Sequence, residues 1–247
     1  MVDRPAVAPL WEGERVVNTH GDRILRLDRI KALLFDLDGT LIDTDEVMGE
    51  GLARKLAPIA GLFRNRDPQP FARKLLIAME NPLNYAALFM ERFGLGRLVM
   101  AIADRSRRLK GLGTRDRNRL VPGADAAVRE LAGIYRLGIV TTRTRSDAEV
   151  FLRQYELRQL FEVITTRSDV WRLKPHPAPV LRSVNMLGLP PDECCFVGDT
   201  ELDVLAGRRA GVYSIGVLSG FGMREELEGA QADLILPSVA EIPAHLS

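Results

Sequence analysis

The 247-residue chain carries 34 Lys/Arg against 33 Asp/Glu, a formal net charge of +1, and 46% apolar residues. That balance speaks against a basic nucleic-acid binder or a membrane-surface protein and fits a soluble globular chain. The length allows one large domain or two modest ones, with a core that needs neither disulfides nor a structural metal.

Residues 1–30 read as an arm followed by an appended hairpin. Pro5, Pro9 and Trp11 mark an extended start that lacks the basic and apolar blocks of a signal peptide. No apolar run approaches the length of a membrane span, so a cytoplasmic protein without a membrane partner is expected. Two β-like runs between Arg15 and Leu27 flank Asn18-Thr-His-Gly21, the pattern of a hairpin.

Residues 31–43 hold the stretch Lys31-Ala-Leu-Leu-Phe-Asp-Leu-Asp-Gly-Thr-Leu-Ile-Asp43. The apolar run Ala32 to Phe35, ended abruptly by Asp36, reads as a buried parallel strand. Residues 44–119 then show helical periodicity and almost no strand signal. Helices are expected over Glu46–Ile59, Phe71–Met79, Pro82–Phe93 and Arg97–Leu109. The insertion has fifteen Lys/Arg against eight Asp/Glu, a surplus of seven positive charges. A few of those cations could attract an anionic substrate; solvated helix faces are the plainer reading.

From Val121 onward helix and strand alternate, as in βαβ units. Helices are expected at Ala124–Leu131, Ser146–Tyr155, Pro177–Leu187 and Leu202–Ala210. The second has Ser146 or Asp147 as its cap, and the last is stopped by Gly211. Strands are expected at Leu137–Thr141, Phe161–Thr165, Cys194–Gly198, Val212–Val217 and Asp233–Leu236. Cys194 and Cys195 are adjacent in an apolar run and read as reduced, buried thiols. The fold class is therefore α/β, a Rossmann-like three-layer parallel sheet formed by residues 31–43 and 120–247, interrupted by a helical insertion over 44–119.

Four polar clusters follow strands: Asp36-x-Asp38-Gly-Thr40, Thr141-Thr142, Lys174-Pro175, and Gly198-Asp-Thr-Glu-Leu-Asp203. Strand carboxyl ends of a parallel sheet share one rim, so the four can converge on one crevice. Buried carboxylates need partners, and a hard cation with oxygen ligands, Mg²⁺ above all, suits them. Carboxylates, a lysine and a hydroxyl together suit a phosphoryl group better than a neutral substrate.

In order and spacing these clusters resemble the four motifs of the haloacid dehalogenase superfamily, over Lys31 to about Pro237. The resemblance implies Asp36 as nucleophile and Asp38 as general acid and base. It implies Mg²⁺ held by the Asp36 side chain, the Asp38 carbonyl and Asp199, with Asp203 orienting that shell. Thr141, the Thr142 amide and Lys174 would hold the phosphoryl group. Dehalogenases of the superfamily have tyrosine, and P-type ATPases threonine, where Asp38 stands, so the implied activity is neither of those. The long helical insertion between the first two motifs is similar to the helical-cap subfamily, which includes phosphoglycolate phosphatase and β-phosphoglucomutase.

The implied function is a Mg²⁺-dependent phosphatase of a small phosphorylated metabolite, acting through an aspartyl-phosphate. A phosphomutase or other phosphotransferase acting on a sugar phosphate is the alternative, and a non-catalytic binding module a further one. Two features depart from the pattern: Thr142 replaces the usual asparagine, and residues 1–30 have no counterpart. Asp43 and Asp45 read as helix caps, Thr165, Thr166 and Asp169 as loop, and His176 as a surface histidine.

Overall fold

The computed structural model describes residues 16–18, 24–43 and 119–246. The four helices expected between Glu46 and Leu109, the domain assignment of residues 44–118, and the arm before residue 16 lie outside the described residues. Strands β1 (Val16–Asn18) and β2 (Ile24–Arg26) pair antiparallel, with Val17 opposite Leu25.

The remaining strands are β3 (Ala32–Phe35), β4 (Arg136–Val140), β5 (Phe161–Thr165), β6 (Cys194–Gly198), β7 (Tyr213–Val217) and β8 (Leu234–Leu236). They form a six-stranded sheet in the order β5-β4-β3-β6-β7-β8, parallel throughout. The chain winds outward from β3 through β4 to β5, then crosses back to β6 and winds the other way. That reversal places a topological switch point beside β3, where open α/β sheets bind their ligands.

Among the described residues the α-helices are α1 (Ala124–Ala132), α2 (Arg145–Gln154), α3 (Ala178–Leu187), α4 (Glu201–Ala210) and α5 (Arg224–Gly229), which lie between strands, and α6 (Ile242–Leu246), which follows β8. Side chains alternate across the sheet, so β3 feeds two cores at once. Leu33 and Phe35 join Val128 and Leu131 of α1, Phe151 and Leu152 of α2, and Ile242 of α6. Ala32 and Leu34 join Val180 and Val184 of α3 and Ala206 of α4. Each strand buried on both faces therefore reads as a near-continuous apolar run.

Several boundaries differ from the sequence reading, for local reasons. Helix α2 begins at Arg145 because Thr144, not Ser146 or Asp147, is its cap. Thr144 Oγ1 accepts from the Asp147 amide at 3.2 Å and donates to Asp147 Oδ2 at 2.6 Å. Helix α4 starts one residue earlier than expected, through the reciprocal Thr200–Asp203 capping box. Pro177 precedes α3 as its cap, and Val212 precedes β7. Helices α5 and α6, too short for a readable period, were not expected. Cys194 and Cys195 are free and buried, and burial pushes the Cys194 thiol up to about 11. Among the described residues no helix is long and apolar enough to cross a membrane.

The insertion is anchored where it leaves and re-enters the sheet. The Asp43 amide donates to the Arg119 carbonyl at 2.9 Å, and the Val121 amide to the Leu41 carbonyl at 2.9 Å. Asp43 and Arg119, which flank residues 44–118 in sequence, are thus paired next to the turn after β3.

The interior of β4 is packed to contact at Gly138, which faces Leu34 and Val163 across the two neighbouring strands. A Cβ there would lie 2.6 Å from Leu34 Cδ2 and 2.7 Å from Val163 Cγ2. Gly138→Ala is expected to cost about 1–3 kcal/mol by overpacking. Thermal denaturation should then show a midpoint roughly 3–10 °C lower for a chain of this size; an unchanged midpoint would mean the contact relaxes freely.

Candidate metal and phosphoryl site

Asp36 directly follows β3 and Asp199 directly follows β6, the pair of strands at the switch point. The turn after β3 tightens through Gly39, whose φ of +71° is left-handed and whose amide donates to the Ile42 carbonyl at 2.9 Å. A Cβ on Gly39 would fall 2.1 Å from Asp199 Oδ2, so glycine is required for both conformation and space. Asp203, two residues into α4, closes the set: carboxylate oxygens of Asp36, Asp199 and Asp203 lie within 4.8 Å of one another, all buried.

Lys174 reaches this group from the loop between β5 and α3. Its Nζ is 2.8 Å from Asp36 Oδ1 and 2.5 Å from Asp203 Oδ1. The Phe196 ring lies beneath the ammonium, its centroid 5.6 Å away, and Arg209 Nη1 ties down the neighbouring Pro175 carbonyl at 2.9 Å. Burial alone would strip the lysine of its proton; the Asp203 and Asp36 carboxylates outweigh that and hold its pKa above the usual range.

The three carboxylates are satisfied to different degrees. Asp203 Oδ1 accepts from Lys174, and its Oδ2 accepts from the Thr200 hydroxyl at 2.6 Å and amide at 3.1 Å. Asp199 Oδ2 accepts from the Phe221 amide at 3.0 Å. Asp36 Oδ1 has charge contact with Lys174 but no aligned hydrogen bond among the described residues. Burial pushes the Asp36 carboxyl up to about 7, with Lys174 opposing and Asp203 and Asp38 reinforcing. Burial likewise pushes Asp199 well above the usual carboxylate range, helped by Asp203 and Asp36. Among the described residues, three buried carboxyl groups face one buried ammonium, and burial favours their protonated forms until a cation replaces the protons. The donor set and the unsatisfied oxygen fit a hard divalent cation.

On the same rim, Thr141 is buried just past the end of β4, with Thr142 half-buried beside it. Thr141 Oγ1 accepts from the Arg143 amide at 3.1 Å, so its proton remains to be donated elsewhere. Asp38, partly exposed, is gripped by Arg143, whose Nε donates to Oδ2 at 2.8 Å and Nη2 to Oδ1 at 2.6 Å. The predicted residues Asp36, Lys174, Asp199 and Asp203 thus form one cluster, with Asp38, Thr141 and Thr142 on the same rim.

Other residues weighed from sequence have local roles. The Ser183 hydroxyl donates to Thr165 Oγ1 at 2.8 Å, and Thr166 bonds Asp169 through its amide and hydroxyl. His176 Nδ1 accepts from the Ala178 amide at 3.2 Å at the start of α3, a role for its neutral form. Burial, with Arg172 and Arg209, holds its pKa below the usual value.

Two contributors escaped sequence reasoning. Arg143 is one; its only signal is a basic residue two places after a strand-end hydroxyl. The other is Ser219-Gly-Phe-Gly222, after β7. Ser219 Oγ donates to the Gly39 carbonyl at 2.8 Å, and a Cβ on Gly220 would lie 2.0 Å from Asp199 Oδ2. The glycine spacing was visible, but its target is in a different strand loop.

A buried acidic cluster at the switch point of an α/β sheet stands where open sheets of this kind bind their ligands. The family assignment follows from comparison: the model of the haloacid dehalogenase-like hydrolases matches residues 33–217, and the chain belongs to that family of hydrolases. It is similar to a pyrophosphatase PpaX of Bacillus mycoides, 26% identical over 224 residues, covering 89% of this chain and 98% of the relative. A solved hydrolase from Pseudomonas syringae shares 27% identity at a TM-score of 0.63, over 87% of this chain and 97% of that one. The fold is also shared with CbbY from Rhodobacter sphaeroides, solved in complex with phosphate, at 23% identity and a TM-score of 0.60, over 88% of this chain and 99% of that one.

The buried carboxyls give a signed prediction for the metal-free protein. A carboxyl whose folded pKa is near 7 keeps its proton in the folded state, whereas the unfolded chain releases it near pH 4. Raising the pH through that window removes stability, at about 1.4 kcal/mol per pH unit for one group. With a chelator present, the melting temperature should fall from pH 5 to pH 7. A midpoint rising across that interval would contradict the assignment.

Proposed function

We propose that this hydrolase is a Mg²⁺-dependent phosphatase acting on a small phosphorylated metabolite through an aspartyl-phosphate on Asp36. The observation that carries the reading is the buried cluster of Asp36, Asp199 and Asp203 around Lys174, three acids to one base. The names of the pyrophosphatase relatives support the same substrate chemistry.

In this reading Asp36, Asp199 and the Asp38 carbonyl hold Mg²⁺. Asp203 is the positioning residue, because both of its oxygens are already committed to Lys174 and Thr200. When bound, the cation supplies positive charge to the phosphoryl oxygens. Asp36 attacks phosphorus while the bond to the leaving oxygen breaks, and Asp38 delivers a proton to that oxygen. A water then attacks the same phosphorus, gives its proton to Asp38, and returns Asp36 as free phosphate departs. Lys174 and the Thr141 hydroxyl, with the Thr142 amide, hold the phosphoryl oxygens throughout. Substrate selection is assigned to the 44–119 insertion, on the strength of its seven surplus positive charges.

Incubation with Mg²⁺ and an aryl phosphate, followed by a panel of phosphorylated metabolites, should release inorganic phosphate. Chelation should abolish the release, and Asp36→Asn should lower kcat by several orders of magnitude without unfolding the protein. No release from any substrate by folded, Mg²⁺-loaded protein would sink the reading. Isomerised sugar phosphate in place of free phosphate would indicate the mutase alternative.

A further inference from the structure

Asp38 is not presented to the crevice as a bare carboxylate. The Arg143 guanidinium spans both of its oxygens, with contacts of 2.8 and 2.6 Å. The pair is partly buried, the Arg143 side chain 20% exposed and that of Asp38 35%. Arg143 is also fastened through its own amide to the Thr141 hydroxyl. One short loop after β4 therefore carries a proposed phosphoryl contact and the guanidinium together.

A carboxylate gripped in this way serves a leaving oxygen poorly, since both of its oxygens already accept charge-assisted hydrogen bonds. Opening the pair with nothing in exchange leaves a guanidinium that is 20% exposed without its two charge-assisted partners. A leaving group with its own anion restores such a partner. A carboxylate or phosphate fits the planar fork as Asp38 does, and takes it over as Asp38 turns to the scissile bond. A neutral leaving group offers no such exchange.

We infer that Arg143 is a specificity-determining residue that reads a second anionic group on the leaving side of the substrate. The substrate class is then phosphorylated compounds with a carboxylate or second phosphate close to the scissile bond. This rests on the phosphatase reading for the direction of the substrate, but its binding half can be tested without turnover.

Calorimetric titration of 3-phosphonopropionate and 3-phosphonopropionamide compares two unreactive ligands of equal size that differ in the second anion. With Mg²⁺ present, the wild-type protein should prefer the carboxylate by roughly tenfold or more, the worth of one charge-assisted contact. Arg143→Gln, verified as folded by its melting curve, should lose that preference. In turnover, the kcat/KM ratio of phosphoglycolate to its amide should fall by a similar factor in Arg143→Gln. Discrimination between the phosphonates that depends on Arg143, with no turnover of either ester, would uphold the inference and overturn the phosphatase reading. Equal wild-type affinities, or a preference that survives in folded Arg143→Gln, would overturn the inference even if phosphate release is robust.

Discussion

Asp36, Asp199 and Asp203 are buried around the ammonium of Lys174, and the electrostatics of that arrangement govern how the surrounding chain is built. Carboxylates out of water are tolerated only where donors or cations replace the lost hydration. The replacement is unequal. Asp203 is bonded on both oxygens, Asp199 receives one backbone amide, and Asp36 Oδ1 receives charge without an aligned hydrogen bond. This gradient distinguishes three chemically identical side chains by how far the protein itself satisfies them.

The sheet topology makes that concentration of charge possible. Asp36 and Asp199 follow adjacent parallel strands in register, so the pleat sets their separation before any side chain is chosen. What remains is clearance, which glycine supplies where loops converge. Gly39 and Gly220 approach Asp199 from the β3 and β7 loops, and a methyl group on either would overlap its carboxylate. The loop glycines thus belong to the electrostatic design, since they let backbone dipoles and a carboxylate occupy space a side chain would fill.

How much of this was legible depended on whether a feature is local in sequence. Asp36 and Asp199 stand out in the sequence because each directly follows an apolar run, whereas Asp38, Lys174 and Asp203 were singled out by the motif spacing of the resemblance. The parallel sheet was readable because strands buried on both faces leave continuous apolar runs, as Cys194 to Val197 does. The Arg143–Asp38 pair was not, because it joins residues 105 apart and its geometry depends on the register of β3 with β4. Ser219 to Gly222 escaped for the same reason. Thr144 was passed over as a cap because Ser146 and Asp147 carry the same local signal; only the hydrogen bonds distinguish them. Helices α5 and α6 span six and five residues, too few for a 3.6-residue period to stand out.

Charge balance also explains why the chain needs more than its acidic centre to recognise a ligand. A divalent cation would match the two charges by which three ionised carboxylates would exceed Lys174, and the Asp38–Arg143 pair is already neutral. The loaded site then has little net attraction for an anion beyond direct coordination, although phosphoryl compounds carry close to two charges. The insertion with seven surplus positive charges leaves and re-enters through the Asp43–Arg119 and Leu41–Val121 hydrogen bonds, immediately after the Asp36–Thr40 turn. Charges within about 10 Å of that turn act with little screening. The acidic centre and the basic insertion are opposite in charge, and the chain joins them at the turn that carries Asp36 and Asp38.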